Sequence, residues 1–344
     1  MKTIRIFFLY LAIGLLGILP QVQAQTAPSS APISVFNHLT KVEAAKITIE
    51  ADFTTLVANK KTNQYFPGTL TTEDGQTLKM ELRPRGKYRR KISEIPPLKI
   101  KFSKKMLVSA GFDTMNEIKL VLPCTDNMES DELLVKEYLA YRMFEQLSPL
   151  SVKARLIKLT LRDSHVEKSK KTMFAMLVED EEESAVRLKG TVVDSYGIPP
   201  DSLLMNQAAL VAVYNYMIGN TDWEIAMIRN VRLLKAPESG KVIVLPYDFD
   251  FSGLVSAPYA SPSSDSGLKT VKDRFLMASG LKQDALKRAT QLIQNNKEKL
   301  MNICNSRYLS RITINEATEY LDTYFQQIAE SDGVPSRFVM PMAD

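Results

Sequence analysis

Between Val42 and Phe102 apolar and polar residues alternate in short runs, clearest over residues 45–51, 77–82 and 98–102. A period of two sends one set of side chains to one face of an extended chain, so this region predicts a meander of antiparallel strands. Turns are expected at Pro67-Gly68 and Asp74-Gly75. Residues 155–161 and 173–178 repeat the pattern and predict a hairpin. The period then lengthens. Over residues 131–147, Leu133, Glu137, Ala140, Phe144 and Leu147 recur at helical spacing, and over 203–218 Leu203, Leu210, Tyr214, Met217 and Ile218 do the same, with Gly219 where a left-handed helix stop belongs. A further strand is expected at 241–245 and amphipathic helices at 282–302 and 314–331. The chain therefore reads as an α+β protein: a β-rich part over 35–180 holding one long helix, then a helical part over 181–344.

The first 24 residues stand apart. A basic start at Lys2 and Arg5, an apolar stretch over residues 6–19 and Val22-Gln23-Ala24 before Gln25 read as a secretory signal peptide, or alternatively as a retained anchor. Residues 25–34, rich in Ala, Pro and Ser, read as a flexible leader. The mature chain is then expected to be exported to a periplasmic or extracellular space, and no later apolar run reaches the roughly 20 residues that span a bilayer. Cleavage removes two of the 44 basic residues and no acidic ones, lowering the net charge from +5 to +3, too little to imply nucleic-acid binding. Two cysteines, Cys124 and Cys304, cannot make a disulfide framework or a Cys-rich zinc site, and two histidines, His38 and His165, leave little material for a His-dependent triad. Phosphoryl transfer needs no histidine.

The chemistry gathers between Gly219 and Gly253. Gly219-Asn220-Thr221-Asp222 follows the buried-looking helix, Asn230 comes next, and Pro246-Tyr247-Asp248-Phe249-Asp250 follows an apolar strand. In an extended backbone Asp248 and Asp250 point to the same side. Mg²⁺ binds through one or two carboxylates together with phosphate oxygens, so two acidic loops with an Asn between them suit a Mg-nucleotide; each Asp alone could equally be an ordinary turn residue. Two more features stand upstream. The basic run 83–91, with Arg85 and Gly86 at its centre, suits either phosphate or solvent. In the helix at 131–147, Glu137 falls within the apolar stripe, and an inward carboxylate costs several kcal/mol unless it is paired. Lys99 and Lys101, on the polar face of the 98–102 strand, are candidate partners; Lys136, Arg142 or solvent are the local alternatives. The acidic run 179–183 reads as a solvated face or a helix start.

Taken together, Gly219-Asn220-Thr221-Asp222, Asn230 and Asp248-Phe249-Asp250 resemble the catalytic and metal-binding loops of CotH-type atypical kinases, and more distantly those of HipA-type kinases. The resemblance implies a two-lobed protein-kinase-like fold with a β-rich N-terminal lobe and a mainly helical C-terminal lobe. It implies that Asp222 is the catalytic-loop acid, that Asn230 and Asp248 bind metal and that Asp250 is a second carboxylate. By the same analogy Lys99 or Lys101, held by Glu137, would meet the ATP phosphates with the Arg85-Gly86 element, and backbone near Val178 and Glu179 would meet adenine. The sequence departs from the family where Arg229 stands in place of a His common before the Asn, and it has no Gly-rich kinase loop or Walker motif. The expected function is an exported kinase that transfers the ATP γ-phosphoryl group to the hydroxyl of a protein substrate with Mg²⁺ or Mn²⁺. The alternatives are an inactive kinase-like scaffold of the cell surface or envelope and, further off, a metal-dependent phosphohydrolase.

Overall fold

The computed structural model describes residues 32–330. The expected signal peptide, most of the leader and the last residue of the expected 314–331 helix lie outside that range. Ser34, placed by the sequence in a flexible leader, instead caps the first helix, α1 (Val35–Leu39), and also bonds to Glu183.

The β-rich part is a barrel. Its strands are β1 (Ala45–Ala51), β2 (Phe66–Thr72), β3 (Thr77–Pro84), β4 (Leu98–Phe102), β5 (Glu117–Val121), β6 (Ala154–Asp163) and β7 (Lys171–Glu179), joined in the order β1-β2-β3-β4-β5-β7-β6. Neighbours are antiparallel except β1 and β6, whose parallel pairing closes the ring. Alternation predicted β1, β3, β4, β6 and β7 but not β2 or β5, and an antiparallel meander alone leaves two edges. Closure removes them and satisfies their backbone groups. Ile49, Leu82, Ile100, Ile118 and Leu159 are fully buried in the apolar cluster of the barrel strands, to which α1, α2 (Phe53–Ala58) and the helix after β4 also contribute. Pro67-Gly68, expected as a turn, lies inside β2, where a side chain on Gly68 would crowd the Glu50 carbonyl at 2.9 Å. The basic run likewise ends in one helical turn, α3 (Arg89–Ile92), with α4 (Lys104–Ser109) following β4.

A second apolar core is built on α5 (Met128–Leu147). Val121, Leu156, Met176 and Val178 turn outward from β5, β6 and β7 into this core. That double burial explains the near-continuous apolar run in β7. The rest is supplied by α6 (Glu181–Arg187), a small sheet of β8 (Thr191–Val192), β9 (Val231–Lys235) and β10 (Val242–Pro246), then α7 (Met205–Ile218), α8 (Gln283–Asn295), α9 (Lys297–Cys304) and α10 (Arg311–Ala329). The single helix expected over 282–302 is two, α8 and α9, which break at Asn296. The acidic run proves to be a helix start, with Glu181, Glu182 and Glu183 in the first turn of α6. The described residues from Ile33 onward form one compact unit with two cores. No described helix is long and apolar enough to cross a membrane.

Candidate functional site: two acidic loops beside a basic wall

Helix α7 is buried almost all round and stops at Gly219, which takes the left-handed conformation at φ +66°. From there the two acidic loops are tied back to back. The Gly253 N–H donates to the Gly219 carbonyl at 3.0 Å, and the Leu254 N–H donates to the Ile218 carbonyl at 3.0 Å. The Tyr320 hydroxyl of α10 lies over both glycines, so close that a Cβ built on either would sit 2.0 or 2.3 Å from it. Only glycine fits either position.

Local hydrogen bonds then fix the first loop. Asn220 donates to the Asn215 side chain at 2.9 Å and accepts from the Asp222 N–H at 3.0 Å, an Asx turn that aims Asp222. The Asn230 amide donates both to the Asp222 carbonyl at 2.6 Å and to its carboxylate at 2.9 Å. With its nitrogen so committed, Asn230 keeps its amide oxygen as a ligand atom. Arg229 bends back toward Asp222 at 3.8 Å and Glu224 at 3.3 Å. Arg229 is thus an ion-pair partner of Asp222, the candidate catalytic acid.

The second loop departs from the expected geometry. Strand β10 ends at Pro246, and Asp248 is left-handed at φ +65°, so strand alternation does not align Asp248 with Asp250. A turn does. Its N–H is received by the Tyr141 hydroxyl at 2.8 Å, and the intervening Phe249 is fully buried against Tyr141 and Tyr214. Among the described residues no group donates a hydrogen bond to the Asp248 carboxylate. Asp250 is buried and accepts from Tyr259 at 3.1 Å. Tyr259 and Phe251 in turn pack on Tyr88 from the basic run.

Helix α5 contributes two groups one turn apart, Glu137 and Tyr141. Glu137 pairs not with a strand lysine but with Arg89, at 2.9 Å, and Arg89 also donates to the Leu122 carbonyl at 2.5 Å. Burial raises Glu137 to about 8; the Arg89 guanidinium in contact with it opposes the rise, and Asp250 and Asp248 add to it. Lys99 and Lys101 have other partners. Lys99 pairs with Glu117 and reaches Asp180 at 4.0 Å, while Lys101 lies over the Tyr65 ring. Their outward position on β4 was legible; the partner of Glu137 was not, because the basic run offers six cations and burial of Arg89 alone selects one.

The lysine that does approach the acidic loops is Lys119 of β5, directly across from Lys99. It sits 5.5 Å from the Tyr247 ring, and Arg232 sits 5.2 Å from the same ring. Burial lowers Lys119 to about 7, helped by the fields of Arg232 and Arg85 and opposed by Asp180 and Glu181. Arg85 and Arg232 also act on Tyr247. A basic wall of Lys119 and Arg232 therefore stands over the residue preceding Asp248, with Arg85 near enough for its field to reach both Lys119 and Tyr247. The apolar-polar alternation of residues 117–121 was the signal that would have placed Lys119 on that outer face.

The proposed adenine contact at Val178 and Glu179 has little free backbone. Val178 is paired on both sides, with Lys119 and Ala154. The Glu179 N–H donates to the Lys153 carbonyl at 3.0 Å, its carbonyl accepts from Arg232 at 2.8 Å, and its carboxylate accepts from Arg187.

Electrostatically the loops are under tension. Burial raises Asp222, with Asp248 adding to the rise and Arg229 and the Asn230 bond opposing it. Burial raises Asp250 as well, again with help from Asp248. Among the described residues no three His, Cys, Asp or Glu side chains converge as a metal cage. The donor set of Asp248, a second aspartate and the Asn230 amide oxygen is too small to hold an ion unaided, but it suits Mg²⁺ or Mn²⁺ carried on nucleotide phosphates.

Fold and site together define an α+β protein in which a closed seven-stranded barrel and a helical core meet at paired acidic loops and a basic wall. No family model and no curated protein matches the chain. Among solved structures, the crystal structure of a proinflammatory kinase CtkA from Helicobacter pylori aligns over 72% of this chain and 92% of that one, at 11% identity and a TM-score of 0.40. That likeness is too slight to carry an argument about activity.

Proposed function

We propose that the protein is an exported, CotH-like phosphotransferase that moves the γ-phosphoryl group of ATP to a protein hydroxyl. The observation that carries this reading is the bonded Asp222–Asn230 pair within the field of an Asp248 whose carboxylate no described residue satisfies, with Lys119 and Arg232 over the ring of Tyr247, the residue before Asp248. Asp222, raised by burial, accepts the proton of the attacking hydroxyl, and Asn230 fixes its orientation. Arg85 and Lys119 meet the phosphates in the role the sequence assigned to Lys99 or Lys101. Arg89 holds Glu137 in place, and Arg232 holds the end of β7. Asp248, Asp250 and Asn230 would hold Mg²⁺ or Mn²⁺, which when bound neutralises charge on the phosphates. Most of the rate would come from positioning and fixed charge.

The test is incubation of the purified protein with labelled ATP and Mg²⁺ or Mn²⁺. Autophosphorylation or transfer to a protein acceptor is expected, falling at least ~100-fold in Asp222→Asn. Absence of both nucleotide binding and phosphorylation overturns the reading. Two contacts favour the inactive scaffold instead: Arg229 faces Asp222, and Tyr259 donates to Asp250. Nucleotide binding without turnover, unchanged in Arg229→His, would support it.

A further inference from the structure

Helix α5 presents Glu137 to the acidic loops and the preceding residue, Lys136, to a different space. That space is a cavity of about 170 Å³ bounded by α5, α10, the turn at Gly253–Ser256 and Lys272. Lys136 is only 7% exposed as a residue, and its ammonium, which among the described residues makes no hydrogen bond and no ion pair within 4 Å, lines that cavity within the fields of Glu316, Glu132 and Glu129. A largely desolvated ammonium gains from an anionic group in direct contact. The ion pairs expected locally do not form. Glu132 is committed to Thr313 at 2.5 Å and to the Ser310 N–H at 2.6 Å, and the Tyr320 hydroxyl donates to the Lys272 carbonyl. Glu129 and Glu316 line the same cavity from exposed positions.

The uncommitted charges are thus of both signs: Lys136 in the wall with Lys272 beside the opening, and Glu129 and Glu316 around it. We propose that this cavity binds a small zwitterion of amino-acid size, its anionic end on Lys136 and Lys272 and its ammonium toward Glu129 and Glu316. A simple anion such as phosphate would meet three carboxylates, and a simple cation would meet the unpaired Lys136. The volume is close to that of a cavity that holds benzene, which sets the ligand at about six to ten non-hydrogen atoms. The ligand would touch α5 beside Glu137 and the turn that follows Asp250, so it would brace the elements that carry the acidic loops. This inference does not depend on phosphotransfer.

The experiment is thermal unfolding of the full chain with L-alanine, L-threonine and L-glutamate as probes, against acetate, methylammonium and inorganic phosphate. At least one zwitterion is expected to raise Tm by about 3–6 °C near saturation, with the single-charge ions giving less. Lys136→Met, which suits a buried position and should fold, is expected to weaken that zwitterion's Kd at least ~10-fold, and the surface variant Glu316→Gln to weaken it less. The inference is overturned if no zwitterion shifts Tm, if the shift survives in Lys136→Met, or if phosphate protects better than every zwitterion.

Discussion

The barrel and the acidic loops solve opposite problems. In the barrel, ring closure satisfies the strand edges and the apolar cluster contains residues such as Ile49 and Leu82 with no exposed surface. In the loops, Asn230 and Asp248 are left-handed without being glycine, at φ +49° and +65°, and the Asp248 charge adds to the rise that burial imposes on Asp222 and Asp250. Such backbone costs of order 1–3 kcal/mol per residue and persists only where its surroundings over-determine it. The lesson is that the loops' shape is imposed by neighbours, Tyr141, Tyr320 and Arg89 above all, whereas the barrel's follows from its own strand pattern. Variants at those neighbours should therefore hurt more than equal changes inside the barrel.

The largest effect is expected at Arg89. Arg89→Met leaves Glu137 buried and unpaired and should cost about 3–5 kcal/mol in urea unfolding; adding Glu137→Leu should restore most of it. Full cost in the double variant would show that Arg89 acts through packing, not charge. Next comes Gly219→Ala, expected to cost about 2–3 kcal/mol from crowding against Tyr320 and the left-handed backbone, and to be partly rescued by Tyr320→Phe. Ile49→Val inside the barrel should cost only about 1 kcal/mol. An equal loss at the two sites would break the comparison. Asp248→Asn should stabilise the metal-free protein at neutral pH by about 1 kcal/mol, because it removes the charge that raises Asp222 and Asp250. The same change should erase any stabilisation by Mg²⁺ in the presence of ATP.

The smallest effect concerns protons. Burial and neighbouring cations depress Lys119 from the ordinary lysine value of 10.5 to about 7 in the folded protein. Between those values the unfolded chain binds more protons, so this group makes stability rise with pH across the window. A phosphate beside it favours the ammonium. Binding of metal-free ATP slightly above pH 7 should therefore take up a fraction of a proton, measured by calorimetry in buffers of different ionisation enthalpy. In Lys119→Met that uptake should vanish.

What the sequence made legible follows the same division. Alternation located β1, β3, β4, β6 and β7 within a few residues but neither β2, where a turn was expected at Pro67-Gly68, nor β5; helical spacing with Gly219 located α7 and its stop, because those signals are local. Burial of Glu137 was readable from its place in the stripe of α5, since a helix face is also a local property. Its partner was not, because Arg89 is 48 residues away and is chosen by the path of the chain. Barrel closure escaped for the same reason: the parallel register of Ala45 with Ile157 leaves no mark on either segment. The strand expected to align Asp248 with Asp250 ends at Pro246, and a left-handed Asp248 follows it, a local backbone choice that alternation does not encode.

The phenol of Tyr320 reaches over two glycines from loops more than thirty positions apart in the chain. A single rotor in α10 therefore acts as the clamp screw for both, and neither loop can shift its backbone without the other or without displacing that ring. Drift at Gly219, Gly253 or Tyr320 is consequently constrained as a trio, so a tolerated replacement at one of them should arrive with a compensating change at another.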